Sequence, residues 1–371
     1  MSEGKRFRVL SLDGGGMRGI YTASYLALVA SNFARKRGTK GLDVGGAFDL
    51  IVGTSTGAII ASALAAGVPL RSVVELYRNC GKAIFEQPVR GGFRSIWPLL
   101  NPIGRRRALA RGTEALRGAL TQCLGGSTLG ELYRARGVAL AITAVEMSNH
   151  RSWVFKTPHN RNTSHRDDDY KLVDVCLASS AAPIYRSLAA VEHTDGTGHR
   201  VFADGGLWAN NPVLVGLIDA LEMTSSRDRI ELFCLGTCPR PAGQIINRND
   251  VHRTITEWKL GGAAAALGID AQEFAFDNMA RMVAAHVDRD CKVVRFPHDQ
   301  VPAAVLEYLD LDETRNEGLD ALVNQARTDA DMTNSRCGRP DDIEGQLISA
   351  LFMDAPVVET EHAAHVPAAA I

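Results

Sequence analysis

The sequence predicts an α/β protein built on a parallel sheet with helices on both faces. Twice near the N-terminus a short apolar run meets a glycine-bounded turn and then a stretch of helical spacing: 7–12 leads into 20–29, and 48–52 into 58–66. Buried strands that feed helices through tight turns are the pattern of parallel sheets, whose crossovers need helices. The third observation is continuity. No internal repeat and no linker long enough to divide the chain interrupts its 371 residues. One domain is therefore expected over 1–371, with a core at 7–330 and a helical extension and tail at 331–371.

The remaining elements follow in order. Residues 69–85 read as a helix with Pro69 near its first turn, where a missing N–H costs little. Residues 91–104 are irregular, and 107–120 read as a helix. Strands are expected at 138–145 and 152–155. A helix at 172–182 ends at Pro183, which cannot continue one. Strands at 187–191 and 200–203 flank a polar turn holding Asp195-Gly196. Residues 213–223 are helical and 230–235 form a buried strand. From 253 onward the chain reads as helical, with one strand at 292–295, a late helix at 317–326 and a frayed tail at 359–371.

Composition narrows the function classes. Hydrophobic residues make up 46% and charged residues 22%, as in ordinary soluble globular proteins. Lys and Arg total 41 against 42 Asp and Glu, a net charge of -1. A duplex-binding protein would neutralise phosphates with excess cations, so no DNA or RNA duplex partner is expected. The seven cysteines are irregularly spaced, and no second pair joins Cys234 and Cys238 to complete a zinc site. They read as reduced thiols of a cytoplasmic protein, and no metal is expected. Residues 1–8 are polar and lack an apolar segment of signal-peptide type. Residues 50–70 carry no charge and match a membrane span in length. Glycine and hydroxyl residues at 53–57 interrupt them, so a strand, a turn and a buried helix fit better.

Three glycine-rich elements carry chemistry. Gly53-Thr54-Ser55-Thr56-Gly57 fits G-x-S-x-G between a buried strand and a helix. That context presents a serine on a sharp turn, with small flanking residues Gly53 and Gly57 and a helix N-terminus favouring negative charge. The plain alternative is a well-packed turn. Asp13-Gly14-Gly15-Gly16-Met17-Arg18-Gly19 follows a strand, and its N–H groups can converge on an anion, either a phosphate or a transient oxyanion. The spacing fits neither a P-loop nor G-x-G-x-x-G, and a structural turn stays open. Asp204-Gly205-Gly206 puts a carboxylate at a strand end, as a general base or as a turn aspartate.

Together, LSLDGGGMRG at 10–19, GTSTG at 53–57, SSAAP at 179–183 and DGGLWANNP at 204–212 resemble the patatin-like phospholipase family in order and spacing. The resemblance spans about 7–330. It implies a patatin-like three-layer α/β/α sandwich with a mostly parallel central sheet. It also implies a Ser/Asp dyad without histidine or cofactor. By position, Ser55 attacks an ester carbonyl and Asp204 takes its proton. Backbone N–H groups of Gly14, Gly15, Gly16 and Met17 form the oxyanion hole, with Arg18, Gly53, Gly57 and Gly205 in support. Asp13 holds the turn. A triad histidine would follow Asp204 in chain order. His252, His286 and His298 do, but none sits in a glycine-bounded loop at a strand end. The implied substrate is a membrane phospholipid met at the bilayer surface. Compact bacterial members include anti-phage effectors switched on by cyclic oligonucleotides, which adds such an activator and a homo-oligomer to the expected partners. The rival readings are an esterase or thioesterase on soluble acyl groups, and a non-catalytic lipid binder.

Three weaker features complete the reading. Residues 93–103, apolar and broken by two prolines before Arg105-Arg106-Arg107, suit a lid or membrane-docking loop, or a loop that packs Trp97 on the core. Residues 261–268 suit close helix packing, a hinge or a loose loop. Residues 160–169 lack calcium-loop spacing and read as a solvated loop.

Overall fold

The computed structural model describes residues 4–88, 102–160, 165–193, 196–238, 246–248, 251–254, 256–258, 262–297 and 301–358. Among them eight strands form one sheet: β1 (Arg6–Leu12), β2 (Leu50–Gly53), β3 (Ala139–Glu146), β4 (Arg151–Lys156), β5 (Ala189–Glu192), β6 (His199–Asp204), β7 (Arg229–Leu235) and β8 (Cys291–Arg295). The order is β5-β6-β3-β2-β1-β7-β8, with β4 also on β3. The central run β3-β2-β1-β7-β8 is parallel throughout. β4, β5 and β6 add antiparallel pairings at one side.

Alternation along the strands divides the core. Leu10 and Leu12 of β1, Ile51 of β2 and Leu140 and Ile142 of β3 face one apolar cluster. Helices α1 (Gly19–Lys36), α2 (Thr56–Ala65), α3 (Leu70–Ile84), α4 (Pro102–Leu124), α5 (Leu129–Arg136) and α6 (Leu172–Ser179) supply residues to it. Val9, Leu50, Val52, Ala139 and Ala141 face the other cluster. It is closed after a short helix α7 (Gly206–Ala209) by α8 (Val213–Met223) and α9 (Gly262–His286). Helices α10 (Asn316–Cys337) and α11 (Ile343–Asp354) return to the first cluster, where Phe352 stacks on Phe33 with ring centroids 5.3 Å apart. The expected α/β class, with helices on both faces of a central sheet, is the observed one.

The departures are in lengths. α1 continues to Lys36 because Phe33 and Ala34 are still buried. α4 starts at Pro102, so 102–104 are helical rather than irregular, with proline on the first turn. α6 stops at Ser179, short of 182, where the Ser180 N–H closes on the Cys176 carbonyl. α10 runs to Cys337, well beyond 326 and through the boundary drawn at 330. Helix α5 was not expected as an element, although Thr128 and Glu131 form a reciprocal capping box readable as T-x-x-E, and α11 lies in the expected helical extension. Residues 262–268 lie in α9, which removes the loose-loop reading. Asp167 is buried and accepts the Lys156 N–H, so the described part of 160–169 is not merely solvated. The apolar segment 93–101, the tail 359–371 and His298 lie outside the described residues. No helix among those described is long and apolar enough to cross a membrane.

Candidate active site

Register brings two chain ends together. Gly53, the last residue of β2, stands opposite Ile142 on β3. Asp204, the last of β6, stands opposite Ala144. Since β4 occupies one edge of β3 along 141–146, β6 shares the other edge with β2. The two strands therefore approach head to head, and the residues that leave them, Ser55 and Asp204, meet.

They meet at hydrogen-bond distance. Ser55 Oγ donates to Asp204 Oδ2 at 2.7 Å, and Asp204 Oδ1 accepts the Gly206 N–H at 2.7 Å. Both residues are buried, Ser55 at 8% and Asp204 at 6% exposure. Burial pushes the Asp204 carboxyl up to about 6, against the pull of the Ser55 hydroxyl, the Gly206 N–H and the Arg186 charge. Ser55 holds φ 55, ψ -120, a conformation that serine avoids. Such strain costs on the order of 1–3 kcal/mol and persists where surroundings enforce it. Here the Ser55 N–H is held by Ser179 Oγ at 2.8 Å, and Thr54 Oγ1 donates to the Ala209 carbonyl at 2.6 Å. Thr56 opens α2, so the helix begins immediately after the serine. Among the described residues no histidine ring bonds Ser55 or Asp204.

The glycine loop lies against the same serine. A Cβ on Gly14 would come 2.4 Å from Asn210 Oδ1 and 3.2 Å from Ser55 Cβ, so only glycine lets the loop approach this closely. Gly16 has φ +58. Of the four N–H groups nominated for an oxyanion hole, two are spent inside the fold. Gly14 N–H donates to the Asn210 carbonyl at 2.9 Å, and Met17 N–H donates to the Leu311 carbonyl at 2.8 Å. The Gly15 and Gly16 N–H groups make no such backbone bond among the described residues. The donors available to an anion thus narrow to two. Arg18 Nε donates to the Gly15 carbonyl at 3.3 Å and braces the loop from behind. Gly53 closes β2, Gly57 lies in the first turn of α2, and Gly205 N–H donates to the Ser179 carbonyl at 3.2 Å.

Asp13 sits beneath the loop, 1% exposed, and receives Arg295 Nη1 at 2.8 Å. Burial pushes its carboxyl up to about 8, with Arg295 pulling the other way. Arg295 also holds Asp277 of α9, Nη2 to Oδ1 at 2.9 Å. Asn211 Nδ2 donates to the same Oδ1 at 2.7 Å, and Gln272 Oε1 takes the Asn210 N–H at 2.9 Å. Sequence reasoning missed these supports. Ser179, Asn210 and Asn211 lie in quoted motifs, whereas Arg295, Gln272 and Asp277 carry no local signal. All seven cysteines are unpaired. Among the described residues no group of three His, Cys, Asp or Glu side chains is arranged to hold a metal ion.

The patatin-like phospholipase family model matches residues 10–217. An Escherichia coli (strain TW11681) protein named cGAMP-activated phospholipase is 38% identical over 225 residues, 60% of this chain and 58% of that protein. A Vibrio cholerae protein of the same name is 38% identical over 215 residues, 57% of this chain and 56% of its own. A Pseudomonas aeruginosa namesake is 33% identical over 277 residues, 74% of each. The matched stretch spans less than two-thirds of the first two relatives. With more than half of its length under the family model, the chain belongs to the patatin-like phospholipase family.

Proposed function

We propose that this chain hydrolyses ester-linked fatty acids of membrane phospholipids through Ser55 and Asp204. The observation that carries the reading is the 2.7 Å hydrogen bond from Ser55 Oγ to Asp204 Oδ2. Asp204 takes the hydroxyl proton as Oγ attacks the ester carbonyl, and the carbonyl oxygen becomes an oxyanion. The N–H groups of Gly15 and Gly16, with the start of α2, offset that charge. Asp204 then passes the proton to the leaving alcohol, which leaves an acyl-Ser55 ester. Water, deprotonated by Asp204, hydrolyses that ester and restores the serine.

Activation by a cyclic oligonucleotide, in anti-phage defence, is part of the same proposal. It is supported by three relatives whose names describe cGAMP-activated phospholipases. The protein would work at the bilayer surface from the cytoplasmic side, as a homo-oligomer once activated. The test is fatty-acid release from mixed phospholipid vesicles by wild type and Ser55→Ala, with and without cGAMP. Release by wild type alone, raised by cGAMP, is expected. Equal release by Ser55→Ala would remove the proposal. Cleavage of soluble esters but no vesicle lipid would move the reading to a general esterase.

A further inference from the structure

Arg186 is a buried charge short of hydrogen-bond partners among the described residues. It follows the SSAAP turn and is 7% exposed. Among the described residues neither its Nε nor its Nη1 has a hydrogen-bond partner, and no carboxylate lies within salt-bridge distance of it. Burial pulls the guanidinium down to about 10, with Asp204 opposing. It is therefore charged at neutral pH.

Its place is well determined. The Arg186 N–H bonds the Ala182 carbonyl at 2.8 Å, just after Ile184 at φ 75. Arg105 Nη2 pins the Ile184 carbonyl at 2.6 Å. The guanidinium carbon stands 5.9 Å from the Phe85 ring centre. The Asp204 N–H donates to the Ala181 carbonyl at 3.0 Å, so the turn that carries Arg186 also holds Asp204, and their charges act on each other without a hydrogen bond between them. The Asp204 oxygens accept from Ser55 and Gly206. A buried cation left unpaired is strongly unfavourable and persists where something else satisfies it.

We propose that Arg186 binds the phosphate of the substrate, beside the ester that Ser55 attacks. This rests on the lipase reading above. The unpartnered Nε–H and Nη1–H are charged donors of the kind that phosphate oxygens accept from. A phospholipid satisfies them, whereas a neutral ester of the same acyl chains leaves them unmet and is disfavoured. The phosphate also brings negative charge near Asp204 and strengthens it as a base.

The test compares wild type with Arg186→Met and Arg186→Lys. With phosphatidylglycerol and diacylglycerol in the same micelles and cGAMP present, the ratio of their kcat/KM values falls about 10- to 100-fold in Arg186→Met, mostly through KM. Arg186→Lys keeps the charge and loses less. Arg186→Met melts no lower than wild type, because it removes an uncompensated buried charge. A markedly lower melting temperature would make Arg186 a structural residue and overturn the proposal. Titration of inorganic phosphate by calorimetry gives millimolar binding to wild type and none to Arg186→Met. Phosphate binding that Arg186→Met retains would overturn the site. Phosphate binding lost in Arg186→Met with an unchanged ester ratio would assign it to a free phosphate and overturn the headgroup assignment. If wild type cut neither ester, the lipase reading would fall, and the phosphate titration would still decide Arg186.

Discussion

Asp204 must be ionised to act as a base, in a place that favours its neutral form. Its carboxyl stands near 6 in the fold, above the ordinary 3.8. Stability from this group is fully present below pH 3.8 and is lost as pH rises through 6. At pH 8 the ionised carboxylate costs ~3 kcal/mol. Two predictions follow from that sign. Turnover on a soluble ester falls about tenfold per unit below pH 6, which a pH–rate profile reads directly. Asp204→Asn loses turnover yet gains about 1–3 kcal/mol at pH 8, since its amide can donate to Ser55 Oγ and its oxygen still accepts from Gly206. Denaturant unfolding at pH 8 measures the gain, and a less stable variant would show that the carboxylate is better tolerated than its burial implies.

Among the elements, α9 (Gly262–His286) reaches furthest. Its Gln272 and Asp277 hold the 206–211 stretch behind Asp204, and Asp277 shares Arg295 with Asp13 under the glycine loop. Arg295→Met should cost about 3–5 kcal/mol, the usual loss when one partner of a buried ion pair goes. The loss should be larger at pH 9 than at pH 6. Asp13 already favours its neutral form, with its carboxyl near 8, and without the arginine its buried charge has less to hold it. Equal losses at both pH values would show that Arg295 contributes packing alone. This network explains which parts were legible in sequence. Ser55, Asp204 and the glycine loop stand out because local backbone geometry restricts them to few residue types. Arg295 lies 282 positions from Asp13, and its role arises from sheet order, which no local pattern records. The capping box at Thr128 was legible and marks the start of α5. The true end of α10 was not, because Asp329 and Thr333 look like surface residues. They are buried: Asp329 accepts from the Tyr21 hydroxyl, and Thr333 shares a hydrogen bond with the Tyr25 hydroxyl.

At the scale of the whole molecule, one edge of β3 serves two strands that run toward each other, and Ser55 and Asp204 sit where they meet. The surrounding elements keep that meeting point buried, with Ser55 held at φ 55. The proposed switch belongs at this scale, because an activator that joins subunits acts on whole molecules. The account predicts that cGAMP raises the sedimentation coefficient together with vesicle hydrolysis. Hydrolysis that rises with no change in sedimentation would remove oligomerisation from the proposal. The most direct test of the central claim is labelling by a fluorophosphonate, followed by peptide mapping. Wild type should be modified at Ser55, Ser55→Ala not at all, and Asp204→Asn far more slowly. Modification of a different serine, or undiminished labelling in Asp204→Asn, would contradict the dyad.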